Sequence, residues 1–391
     1  MPGKHALALI GVRRSGKTWS AVELTRNFDQ PVLYYNFEDP LFYSDPDVLN
    51  LDELISIYVE QKGSPPALLI LDEIQNVNGW ERWVRKMTDL EKYKIVITGS
   101  SAKLLSSEIS TSLAGRALEE KIWTLSFPEF LKFRNRQCRS EDEYLAELHH
   151  YMEWGSFPEV VLCKSETEKK RLLQQYLNDI VLKDIVNRHE LRAKKVLDQL
   201  LLYYFTNISS LHSYSRIQKA FGTSTHLASE YTSYFEEAFL VFEVYRYHPN
   251  LKIQARDPKK IYVIDPGLRN TFASSISPDF GKLAENVVFI QLKRLGLAMS
   301  YFKNLGEVDF LVTESGKPLE AIQVCYSDLR DPAVYKREVQ SLLECLETLK
   351  LPDGKILTLK RHEKITLSGK QIQFIPLYHW LLQAKSPKIH R

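Results

Sequence analysis

Gly11-Val12-Arg13-Arg14-Ser15-Gly16-Lys17-Thr18 follows the apolar run Ala6 to Ile10 and precedes a helix-compatible stretch, Trp19 to Asn27. A G-x-x-x-x-G-K-[S/T] pattern between a strand and a helix leaves few folds open. The glycines let backbone N–H groups curl around a polyphosphate, and the helix that follows adds the partial positive charge of its N-terminus. The pattern therefore reads as an ATP-type phosphate-binding loop. Gly11, Val12, Arg13, Arg14, Ser15, Gly16 and Lys17 line it, Lys17 reaches the β- and γ-phosphates, and Thr18 binds Mg2+, with Trp19 next in the same run.

A second element separates nucleotide binding from nucleotide hydrolysis. Pro66 to Leu71 is apolar and ends in Asp72-Glu73, which reads as a buried parallel strand with two carboxylates at its C-terminal edge. Ligands of open α/β sheets bind at that edge. Asp72 is expected to hold Mg2+, and Glu73 to orient and deprotonate the water that attacks the γ-phosphate. A third strand, Ile95 to Thr98, leads into Gly99-Ser100-Ser101, so Thr98, Ser100 and Ser101 are candidates to sense the γ-phosphate or that water; small polar residues also simply end strands. Arg116, in Leu113-Ala114-Gly115-Arg116, offers a planar fork to a transferring phosphoryl group, in the chain itself or in a neighbour, with a surface ion pair as the alternative.

A length of 391 residues implies two or three domains, and a net charge of +3 lacks the basic excess of a dedicated nucleic-acid coat protein. Cys138, Cys163, Cys325 and Cys345 form no C-x-x-C pair, which argues against a zinc site and a disulfide framework. No apolar run approaches a membrane span and no signal-peptide core follows Met1, so a soluble, cytoplasmic protein without membrane contact is expected.

Alternating strands and helices over residues 1–126 specify a parallel, doubly wound sheet, with strands at Ala6–Ile10, Val32–Asn36, Ala67–Leu71, Lys94–Thr98 and Glu120–Leu125. Residues 127–192 read as a helical extension, broken at Trp154-Gly155-Ser156-Phe157-Pro158-Glu159. Within it the helix Tyr176 to Arg188 carries Asp179, Lys183, Asp184 and Arg188, the pattern of a laced, exposed face. Trp80, Trp83 and Trp154 read as core aromatics.

Residues 193–265 read as a winged helix-turn-helix, with a recognition-helix candidate (Ser224 to Ala238) that contains Glu230, Glu236 and Glu237 but no Lys or Arg. The wing carries Arg246, His248, Lys252, Arg256, Lys259 and Lys260, so DNA contact through the wing and protein packing both remain open. Residues 266–391 begin with a helix around Glu285 and continue through the strands Val308–Val312 and Glu320–Tyr326.

With these motifs in hand, the chain resembles the archaeal and bacterial AAA-type P-loop ATPases fused to a winged helix and a C-terminal nuclease-like domain of unknown function. Gly155-Ser156-Phe157-Pro158-Glu159 and Gly306-Glu307-Val308-Asp309-Phe310 are also typical of that group. The resemblance implies ATP and Mg2+ as ligands, and elements over the adenine that are missing or supplied from elsewhere, since few residues precede the first strand. It further implies a restriction-endonuclease-like α/β domain of the PD-(D/E)XK type at the C-terminus. Glu285 and Asp309 match two of that fold's metal-binding positions, but Gln323-Val324-Cys325 stands where acid-x-lysine is expected. Gln323 brings no charge to a hard cation, and Cys325 cannot replace a lysine.

The expectation is an ATP-hydrolysing switch or motor coupled to a winged helix and a nuclease-like module that does not cleave and offers a surface to a protein partner; an oligomer is compatible with it. The rivals are an ATP-binding, DNA-associated regulator without turnover and an ATP-controlled, Mg2+-dependent nuclease.

Overall fold

The computed structural model describes residues 4–26, 28–39, 51–99, 113, 115–191, 194–273, 279–327 and 329–384. Ser100, Ser101 and Ala114 lie outside them. The chain divides into two compact units: 1–124 with 178–191 and 237–239, and 125–177 with 192–236 and 240–391.

The first unit is built on five parallel strands, β1 (Ala6–Ile10), β2 (Val32–Asn36), β3 (Leu68–Asp72), β4 (Lys94–Thr98) and β5 (Ala117–Lys121), in the order β2-β3-β4-β1-β5. Every residue of β3 is buried, as expected of a strand covered on both faces. Leu9, Leu68, Ile70 and Val96 pack with Ala21 of the helix α1 (Lys17–Glu23) to form the core beside the loop. Because the strands are parallel, the ends of β1, β3 and β4 bring Gly11, Asp72 and Thr98 to one edge. α2 (Leu51–Lys62) and α3 (Trp80–Asp89) complete the alternation.

Two elements differ from the sequence reading. α1 ends at Glu23, followed by a turn, and the fifth strand begins at Ala117 rather than Glu120. β5 is an edge strand paired only with β1, so its Glu119, Glu120 and Lys121 face solvent and periodicity does not reveal it. Trp80 and Trp154 are buried core residues, whereas Trp83 is half-buried and donates through its indole N–H to Asp52 (3.0 Å).

The second unit begins with helices α4 (Phe127–Phe133), α5 (Glu141–Trp154), α6 (Pro158–Leu162) and α7 (Glu166–Asp179), the last running into the first unit's segment 178–191. Gly155, at φ 76°, ends α5 where a Cβ would lie 1.9 Å from the Asp265 carboxylate, so the break at this position has a steric cause. Asp265 accepts from the Ser156 backbone N–H (2.7 Å) and hydroxyl (3.0 Å).

Three helices, α8 (Lys194–Thr206), α9 (Tyr214–Phe221) and α10 (Thr225–Glu237), accompany a small antiparallel sheet of β6 (Leu211–His212), β7 (Val241–Val244) and β8 (Lys259–Val263), in the order β6-β8-β7, with a short helix α11 (Leu251–Arg256) between β7 and β8. After α12 (Pro266–Phe272) and α13 (Phe280–Arg294) comes a six-stranded mixed sheet. Its members are β9 (Ala298–Lys303), β10 (Glu307–Glu314), β11 (Lys317–Cys325), β12 (Asp353–Thr358), β13 (Glu363–Leu367) and β14 (Lys370–Pro376). β9, β10 and β11 form an antiparallel meander, and α14 (Pro332–Thr348) crosses from β11 to the parallel β12. Val308, Leu311, Ala321, Leu342 and Ile356 are central to its core.

Candidate nucleotide site

Gly11 opens the loop where any side chain would collide with the backbone: a Cβ there would sit 2.1 Å from the Ile122 carbonyl oxygen. Gly16 closes it at φ 101°, a conformation L side chains rarely adopt. Lys17 is buried and curls back over the loop, its Nζ donating to the carbonyls of Gly11 (3.2 Å) and Val12 (3.1 Å). Burial lowers its pKa, against the opposing pull of Glu73, Asp184 and Asp72. Ser15 is buried, and its Oγ has no hydrogen-bond partner among the described residues. Arg14 and Trp19 are exposed, Trp19 by 79%.

The strand ends supply the acids. Asp72 accepts hydrogen bonds from Thr18 (2.9 and 3.2 Å to its two oxygens), from Tyr34 (3.1 Å) and from Thr98. Burial and the Asp72 charge push the Tyr34 hydroxyl up to about 12, which keeps it a donor. The next residue, Glu73, adopts a left-handed backbone conformation (φ 55°); its N–H donates to Thr98 Oγ1 (3.2 Å) and its carboxylate accepts from Gln75. Thr98 is thus tied to both acids. Carboxylate and hydroxyl oxygens from Asp72 and Thr18 are the donor set a hard cation such as Mg2+ prefers. The orphaned Ser15 hydroxyl and the inward-curled Lys17 ammonium suit an anionic group in the loop.

The remaining expectations fare differently. Arg13 is not exposed on the loop: it donates through Nε (3.3 Å) and Nη2 (3.0 Å) to the two oxygens of Asp184, and through Nη1 to Glu38 (3.3 Å). Asp184, expected on an exposed face, is buried in the π-helical segment Ile180–Val186 among Ile180, Val181 and Ile185; of that face only Lys183 is fully exposed. Neither the Asp184 contact nor the Tyr34 hydroxyl has a local sequence signal.

Arg116 is not brought to the loop. Its carbonyl accepts from the Ala6 N–H at the start of β1, while the loop follows the end of that strand, and its Nε donates to Asp89 (2.6 Å). The reason is direction: Arg116 enters β5, and β5 runs parallel to β1. Ser100 lies outside the described residues.

In the second unit, two of the six basic residues assigned to the wing are interior. Lys259 and Lys260 lie in β8, whose five residues are all buried. Lys260 Nζ reaches Asp309 (2.7 Å), Glu307 (2.9 Å) and Glu285 (3.0 Å), while the Tyr262 hydroxyl donates to Glu285 (2.6 Å). Burial alone would lower the Lys260 pKa, but Asp309 and Glu285 raise it well above the ordinary value. Burial, with the Asp309 charge, pushes Glu285 up to about 7. Gln323 accepts from the Asp309 N–H (3.2 Å) and donates to Glu338 (2.6 Å), and the Cys325 thiol is buried with its pKa raised. Among the described residues no cluster of three or more His, Cys, Asp or Glu side chains is arranged to hold a metal ion, and no helix is long and apolar enough to cross a membrane.

Residues 3–131 match a family model described as an AAA domain, and residues 145–279 match a domain of unknown function (DUF8612). The uncharacterized protein MJ1544 of Methanocaldococcus jannaschii is 36% identical over 96% of this chain and 87% of its own. An uncharacterized protein of Haemophilus influenzae is 32% identical over 96% of this chain and 94% of its own. Among solved structures, that of the Aeropyrum pernix ORC1 protein in complex with DNA aligns at 12% identity and a TM-score of 0.32, covering 69% of this chain and 86% of that one. With an AAA domain matched over residues 3–131, which include Gly11 to Thr18, and with relatives aligned almost end to end, the chain belongs to the same family as MJ1544, a family that carries an N-terminal AAA domain.

Proposed function

We propose that this protein binds ATP with Mg2+, hydrolyses it, and uses the nucleotide state to act on a winged helix and on a nuclease-like module that does not cleave. The observation that carries the reading is the convergence of Lys17, Thr18, Asp72 and Glu73 at one edge of a parallel sheet, with Thr18 hydrogen-bonded to Asp72. Lys17 and the loop amides hold phosphate; Thr18 and Asp72 would hold Mg2+, which when bound neutralises charge on the phosphates. Glu73 follows Asp72 directly and orients the attacking water, accepting its proton. The left-handed turn at Glu73 and the Gln75 contact fix where that carboxylate points.

The order helix, strand, two helices and then two strands joined through the short helix α11 over Lys194–Val263 supports the winged-helix reading. The helix, three-strand meander, crossing helix and parallel strand from Phe280 to Thr358 support a restriction-endonuclease-like fold. A closed ionic cluster at Lys260 supports a module without metal-dependent cleavage. For DNA contact through the wing, the exposed basic residues are Lys252 and Arg256, a smaller footprint than the sequence suggests. A protein-facing role is therefore favoured.

The experiment is a nucleotide-binding titration beside a phosphate-release assay. Lys17→Ala is expected to abolish tight ATP binding, because it removes a ground-state phosphate contact. Glu73→Gln is expected to retain binding and to lower turnover by about 100-fold or more, since the change falls on the attacking water. Unchanged turnover in Glu73→Gln would remove hydrolysis at this carboxylate from the reading.

A further inference from the structure

The phosphate loop has a partner from far along the chain. Asp184 lies 171 residues after Arg13, yet its two oxygens receive the Nε and Nη2 edge of the Arg13 guanidinium. The Asp184 side chain is 4% exposed and that of Arg13 13% exposed, whereas Glu38, on the Nη1 edge, is 44% exposed. The two edges of the fork are therefore held very differently. A bidentate contact to a buried carboxylate is strong and directional, while a single contact to a solvated one is weak and exchangeable.

Loss of Arg13 from Asp184 would leave a buried carboxylate without its cation, so the inner edge is the one that stays. Although burial alone would lower the Arg13 pKa, Asp184 raises it above its already high ordinary value, and the same Asp184 charge acts on Lys17. The segment that carries Asp184 is π-helical, closed by the bonds Asn187 N–H to Leu182 O (2.9 Å) and Leu191 N–H to Val186 O (3.0 Å). Such wide turns occur often at functional sites.

We propose that Asp184 is a positioning residue of the nucleotide site: it grips the inner edge of Arg13 so that the outer edge exchanges Glu38 for a phosphate oxygen of the bound nucleotide. This inference rests on the ATP-binding reading above. It makes the segment 178–191 part of the site, although the chain on either side, 125–177 and 192–236, belongs to the other unit.

The test is a double-mutant cycle on the full chain, with equilibrium binding of ATP and of inorganic tripolyphosphate in Mg2+ as readouts. Arg13→Ala and Asp184→Ala are each expected to raise Kd for both ligands by about tenfold, and the double variant to be no worse than either alone. Equal losses for tripolyphosphate place the effect at the phosphates rather than the base. Asp184→Glu should recover most of the affinity. If Asp184→Ala does not fold, the isosteric Asp184→Asn, which keeps one acceptor oxygen, is expected to give a smaller loss in the same direction.

Unchanged or tighter binding in a folded Asp184 variant, or losses that simply add in the double variant, would overturn the proposal while leaving ATP binding intact. A wild type that binds neither ligand, or a Lys17→Ala variant that binds as wild type does, would instead overturn the nucleotide reading and this inference with it.

Discussion

Both units gather carboxylates beside the strands of a sheet, and they prepare them in opposite ways. In the first unit Asp72 is held by the hydroxyls of Thr18, Thr98 and Tyr34, neutral donors that fix its orientation and leave its charge available. In the second, Glu285, Glu307 and Asp309 surround the ammonium of Lys260, which is 2% exposed. On the function proposed above, hydroxyl partners leave the Asp72 carboxylate open to a cation from solution, whereas a tethered ammonium satisfies the carboxylates of the second unit from within. The presence of acidic residues at a sheet therefore says little about cation binding until their partners are known.

The largest effect should come from removing the tethered cation. Lys260→Met is expected to cost about 3–5 kcal/mol, because carboxylates that stay buried lose their partner. Denaturant unfolding of the full chain, followed by a probe in the second unit, measures this, and a loss below about 1 kcal/mol would break the contrast. Asp72→Asn should cost only about 1 kcal/mol, since hydroxyl donors still find an amide oxygen, while abolishing the dependence of ATP binding on Mg2+. A variant that still binds ATP more tightly with Mg2+ than without it would take Asp72 out of the cation's coordination.

Cleavage provides a further test of the same comparison. Plasmid, branched and single-stranded DNA incubated with the protein in Mg2+ or Mn2+ should remain intact, because the Lys260 ammonium already lies among the carboxylates and Gln323 and Cys325 supply no replacement chemistry. Cleavage that disappears in a Glu285→Ala, Asp309→Ala double variant would promote the ATP-controlled nuclease.

Stability should also carry a pH signature. Burial pushes Glu236 and Glu285 up to about 7 and Asp265 up to about 6. Each binds its proton more tightly folded than unfolded, so these three groups together lower the second unit's stability as pH rises from the ordinary carboxylate range through about 7, a fall partly offset below about 6.5 by His150, which burial lowers to about 4. Glu285→Gln should flatten part of that slope, and a slope of the opposite sign in unfolding midpoints between those limits would contradict the assignment.

The smallest effect is expected at Arg116. Its pair with Asp89 is largely solvated, so Arg116→Ala should change stability by about 0–1 kcal/mol and leave ATP affinity untouched. A lowered affinity would mean that Arg116 reaches a nucleotide in some arrangement other than the one its strand dictates.

What the sequence determined by itself was whatever is local. Gly11 to Thr18 and the strand ending in Asp72-Glu73 are contiguous patterns whose chemistry follows from spacing, and four of the five parallel strands announce themselves as apolar runs. Charged positions were harder to read, because a charge pattern does not say which way a side chain points. Lys259 and Lys260 looked like part of a basic wing, but β8 lies between β6 and β7 and is buried along its whole length, which turns Lys260 inward to the carboxylates. Asp184 looked solvated until a π-helical segment buried it and delivered it to Arg13. Arg116 came within reach of the site on paper, and strand direction took it to the far end of β1. Motifs survive in sequence because they are short; ion pairs between residues far apart in the chain exist only once the backbone has folded and burial has made an unpaired charge too costly to leave alone.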